Sequence, residues 1–120
     1  MIEKCPSKIL IMPDLCADAY AWSLEDHLCI APLKDYYPKN LELKKIDEEL
    51  SKWCDWFNKD IDVRPGNKNL NFPWKAFHEQ GMNLAKRLAQ VMQAHDVEVY
   101  YQLPWEDPNG EDAKPFKIGA

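Results

Sequence analysis

Two stretches of helical periodicity set between two short β-favouring runs constrain this chain more than any other feature. Leu43, Ile46, Leu50, Trp53 and Phe57 recur at spacings of three and four, and so do Trp74, Phe77, Gly81, Leu84, Ala85, Leu88, Val91 and Met92. The run Ile9-Leu10-Ile11-Met12 precedes the first stripe, and Val97-Glu98-Val99-Tyr100-Tyr101 follows the second. The pattern predicts an α/β fold, with α+β as the variant. A small sheet of two to three strands is packed by two amphipathic helices in the order β-(β)-α-α-β. If the outer strands pair in parallel, the helices form the crossover between them.

Local signals place the boundaries. Asn40 suits the N-cap of a first helix reaching about Asn58–Lys59, and Pro73 suits the start of a second reaching about Ala94–His95. Lys44, Lys45, much of the acidic run Asp47-Glu48-Glu49, Lys52 and Lys59 are assigned to the outer face of the first helix. Gly81 falls on the apolar stripe, where it weakens a helix unless another element comes close, so close packing is expected there. Between Leu15 and Tyr37 the sequence admits a short strand around His27–Ile30 or a loop over the sheet. Residues 1–103 read as one domain. Residues 104–120, with Pro104, Pro108, Gly110 and Pro115 among acidic residues, read as an irregular tail that Phe116 and Ile118 could anchor.

Composition narrows the function. No apolar run among the 120 residues approaches the roughly 20 needed to span a bilayer, and the start of the chain lacks a secretory pattern, so a cytoplasmic protein without membrane contact is expected. A net charge of -5 argues against nucleic acid and fits a basic protein partner. Cys5, Cys16, Cys29 and Cys54 form no C-x-x-C pair and read as reduced thiols. Cys16, His27 and Cys29 lack a fourth ligand, so no metal or cofactor is expected. His78-Glu79 is not H-E-x-x-H, because residue 82 is Met. The enzymatic alternative is a small hydrolase or thiol enzyme using His27 with Cys16 or Cys29. A structural homo-oligomer subunit is a third reading.

The tryptophans favour binding. Trp53 and Trp74 fit the core stripes, Trp56 sits just off its stripe, and Trp22 and Trp105 lie outside both and have acidic neighbours. Aromatic rings rimmed by charge suit a protein-binding surface. The predicted set is Asp18, Trp22, Glu25, Asp26, Tyr36, Tyr37, Trp105, Glu106 and Asp107, on a monomer or homodimer.

The residues Ile9-Leu10-Ile11-Met12-Pro13-Asp14, Trp22, Leu50-x-x-Trp53-x-x-Trp56-Phe57, Phe77-x-x-x-Gly81-x-x-Leu84-Ala85-x-x-Leu88 and Val97-x-Val99-Tyr100 also carry a resemblance. Over residues 8–101 the chain resembles a group of small bacterial proteins with a strand ending in Pro-Asp, a tryptophan, two helices and a closing strand. In size, acidity and aromatic content it is similar to immunity proteins that neutralise bacterial toxins. That likeness implies an inhibitor whose partner is a basic toxin, such as a nuclease.

Overall fold

The computed structural model describes residues 5–14, 20–61, 64, 69–110 and 113–119. Its elements are strand β1 (Lys8–Ile11), strand β2 (Ala21–Ser23), helix α1 (Leu41–Asp60), helix α2 (Trp74–Met92), strand β3 (Glu98–Tyr101) and strand β4 (Phe116–Lys117), with single 3-10 turns at Leu33–Asp35 and Gln93–His95. The fold is α/β, with a mixed sheet in the order β2-β1-β3-β4. β1 and β3 are parallel neighbours joined through the two helices, while β2 and β4 run antiparallel at the edges.

Strand alternation divides the sheet into two faces. Ile9, Ile11, Val99 and Tyr101 point to the helices and share one core with Leu43, Ile46, Leu50, Trp53, Phe57, Phe77, Leu84 and Leu88. The opposite face carries the cross-strand row Trp22–Leu10–Tyr100–Lys117. Leu10 is only 1% exposed although it stands outside the helix-packed core, because half-buried aromatic residues pair with it on both sides.

The second strand lies earlier than His27–Ile30. After Ala21–Ser23 the chain reverses, with Ser23 N–H donating to Leu28 O at 2.8 Å and His27 N–H donating to Ser23 O at 2.8 Å. His27 takes the left-handed conformation (φ 59°) at this reversal, and Asp26 Oδ1 accepts from Leu28 N–H at 3.1 Å. Cys29 then returns only far enough for a single bridge to Trp22.

Asn40 caps α1 as expected, its Oδ1 accepting from Leu43 N–H at 3.0 Å. Asp47 is not on the outer face: it is 2% exposed and turned inward. Its carboxylate accepts from Tyr20 Oη at 2.5 Å, Leu33 N–H at 3.1 Å and Lys34 N–H at 3.3 Å. One buried charge thereby caps the 3-10 turn and ties the entry to β2 onto α1. Burial, and then the adjoining carboxylate, hold the Tyr20 phenol protonated well above its ordinary range.

On α2, a Cβ at Gly81 would stand 2.5 Å from Trp53 Cζ2 and 2.8 Å from Tyr101 Oη. The glycine lets α1 and β3 both close onto α2. Trp53 stacks on Phe77 at 4.6 Å and donates its indole N–H to Phe77 O at 2.9 Å.

The segment expected as an irregular tail supplies β4. Phe116 pairs with Tyr101, Lys117 pairs with Tyr100, and Ile118 packs against the core. The apolar residues alternate about Lys117, which is all that a two-residue edge strand requires once β3 offers it a template. No helix among the described residues is long and apolar enough to cross a membrane.

Candidate interaction surface

β3 ends at Tyr101, and the chain then folds back on itself over residues 104–110. Asp107 N–H donates to Pro104 O at 3.1 Å, and Gly110 N–H donates to Asp107 O at 2.8 Å. A Cβ at Gly110 would lie 2.0 Å from Pro104 O, so the loop closes only because that position carries none. Asp107 is its hub. Oδ1 accepts from Asn109 N–H at 2.8 Å, while Oδ2 lies 2.6 Å from His78 Nε2 on α2.

His78 continues the contact inward, with Nδ1 2.6 Å from Tyr101 Oη. An ionised Asp107 accepts only, so it assigns the imidazole proton to Nε2 and leaves Nδ1 to accept from the tyrosine hydroxyl. The three groups form a closed Tyr–His–Asp relay. Trp74 stacks on the imidazole at 5.6 Å and Tyr101 meets it edge-on at 5.8 Å. Burial, and then the Asp107 charge, push the Tyr101 phenol far above its ordinary range. Tyr101 is fully buried and its hydroxyl abuts Gly81, so the relay runs from the core outward to the loop. It pins the loop to α2.

Asp107 is therefore not a free surface acid; it is 5% exposed and spent on the pin. The neighbouring Trp105, by contrast, is 73% exposed, presented by the turn that Pro104 and Asp107 close. Glu106 is half-buried. Burial, and then the charge of Asp14, raise its carboxyl above the ordinary range. Asp14 follows β1, so the loop stands at the carboxyl ends of the parallel pair β1 and β3. Open α/β sheets commonly bind ligands at that end.

The other predicted residues do not join this patch. Trp22 is half-buried on the helix-free face, its indole N–H donating to Met12 O at 3.0 Å, so it covers the sheet rather than standing free as an anchor. Glu25 and Asp26 are exposed in the turn after β2, at the opposite end of the sheet. Tyr36 and Tyr37 are half-buried against the core. Tyr37 stacks on His95 at 3.8 Å beside a groove of about 560 Å³ that lies ahead of β3. Asp18 and Cys16 lie outside the described residues. His27 and Cys29, the other members of the enzymatic alternative, are exposed. Among the described residues no cluster of three His, Cys, Asp or Glu side chains is placed to hold a metal ion.

The sequence reading missed His78 and Tyr101. Tyr101 shares the parity of Val97 and Val99 and so was bound to point inward. His78 follows Trp74 by four and precedes Gly81 by three, which puts it at the margin of the apolar stripe. No family model matches the chain, and no curated protein or solved structure is significantly similar to it.

Proposed function

We propose that the chain is a protein-binding module that engages a basic partner through the loop 104–107, with Trp105 as the anchor. The observation that carries this reading is the indole itself: three-quarters exposed, on a loop fixed at its root by a buried relay. A large exposed ring on a mobile segment would lose much of its binding energy to ordering. On a pinned loop that cost is already met in the free protein. Tryptophan is also among the residues most enriched in interface hot spots.

Charge selects the partner. Glu106 follows Trp105 in the chain, the charge of Asp14 acts on Glu106, and the whole chain carries -5, so a cationic surface is the complement. The likeness to immunity proteins gives that partner a kind: a basic toxin that this chain would hold inactive. The product of the neighbouring gene is the first protein to try, by calorimetric titration. Trp105→Ala should weaken binding by about thirty-fold or more, the scale of a hot-spot truncation. Equal affinity for the wild type and Trp105→Ala would dismiss the loop as the binding surface.

A further inference from the structure

Among the described residues, the outer edge of β4 leaves hydrogen-bonding groups and an apolar side chain together. Ile118 N–H donates to Val99 O at 2.8 Å, and Tyr100 faces Lys117 in the register. In an antiparallel ladder inward-bonded and outward-facing residues alternate. The N–H and C=O of Lys117 therefore point away from β3, as does the carbonyl of Pro115. On the helix-facing side, Phe116 is 44% exposed and Ile118 is half-buried. Beside Ile118 opens a cleft of about 580 Å³, lined in part by Ala89, Gln93, Val97 and Val99, where the sheet extends past α2.

We infer that this edge pairs with a second copy of the chain, β4 against β4 across a two-fold axis, so that two four-stranded sheets become one. The occupant follows from register. Placing Lys117 opposite the partner's Lys117 joins the two by a pair of backbone hydrogen bonds. Pro115, at the margin of the contact, has no N–H to leave unpaired. The same register puts Phe116 opposite the partner's Ile118, twice, as a non-hydrogen-bonded pair whose side chains approach closely. Each Phe116 then covers the mouth of the other copy's cleft.

Facing lysines ordinarily guard an edge against such pairing. Here Lys117 Nζ lies 3.4 Å from Glu98 Oε2 of its own chain, so each brings its own countercharge. The contact is short, which places the dimer in the weak class.

Lys117→Pro isolates the edge. It deletes an N–H that the ladder to β3 does not use, and leaves the Phe116 and Ile118 side chains in place. Sedimentation equilibrium of the wild type from about 1 μM to about 1 mM spans the range expected of a weak contact. The wild type should show a concentration-dependent monomer–dimer equilibrium, and Lys117→Pro should raise the dimer Kd at least about ten-fold, the loss of one to two interfacial hydrogen bonds. Circular dichroism and the unfolding midpoint should stay at wild-type values. Phe116→Ser should also weaken the dimer, through the apolar pair. A wild type that stays monomeric throughout, or a dimer equally strong in folded Lys117→Pro, would overturn the inference.

Discussion

Glu106 shows how one side chain links stability to recognition. Its carboxyl titrates above its ordinary range because half-burial and the Asp14 charge disfavour the ionised form. For an acid raised in this way the unfolded chain releases its proton first. Stability therefore declines as pH climbs from the ordinary carboxylate range through the raised value, and at neutral pH the ionised group is a net cost. Glu106→Gln removes both that cost and the local pH slope. In urea titrations at neutral pH the variant should match or slightly exceed wild-type stability, by under about 0.5 kcal/mol once solvent screening is allowed for. The same variant should bind a basic partner more weakly, since it removes the acidic group next to the proposed anchor. A variant both less stable and equally tight in binding would contradict this account. Asp107, next in sequence, was grouped with Glu106 as a surface acid because sequence proximity says nothing of a histidine 29 positions earlier.

At the scale of elements, the stripes were readable because helical burial repeats every three to four residues and the chain contains little else with that period. Gly81 was readable too, as an interruption that only a close neighbour explains. Its Cβ would meet the Trp53 ring and the Tyr101 hydroxyl at the junction of α1, α2 and β3. Gly81→Ala should therefore destabilise the protein by about 1–3 kcal/mol, overriding the roughly 1 kcal/mol gain in helix propensity. Chemical denaturation would check this, and a stabilised variant would show that the junction is looser than described. The inward turn of Asp47 was not legible for a different reason. The residue sits in a charged run on a helix, and what draws it inward is a set of backbone donors from residues 33 and 34 with no sequence signature of their own. β4 escaped because two residues cannot display a period.

For the whole molecule, charge and fold act on different steps of an encounter. In the proposed complex the net charge of -5, a long-range property, would govern how fast a cationic partner arrives, and the pinned indole, a contact property, how long it stays. In stopped-flow or surface-based kinetics, raising salt from about 50 to about 500 mM should slow association at least several-fold, since screening shortens the reach of exposed charges to a few ångströms. Trp105→Ala should act mainly on dissociation. Association insensitive to salt would mean that the partner is not basic. The sheet order was legible as far as the parallel pair, because β-α-α-β leaves little alternative. The partition of the predicted aromatic and acidic residues between two ends of that sheet was not, since it depends on the path taken between β1 and α1.

The contrast among the tryptophans has a spectroscopic consequence. Trp53 is sealed in the core, Trp22, Trp56 and Trp74 are half-covered, and Trp105 is three-quarters exposed to water. A small neutral quencher such as acrylamide will thus extinguish emission chiefly from the loop, and the red-shifted component of the spectrum belongs to that ring. The unlabelled protein carries its own optical gauge of whether anything is seated on residues 104–107.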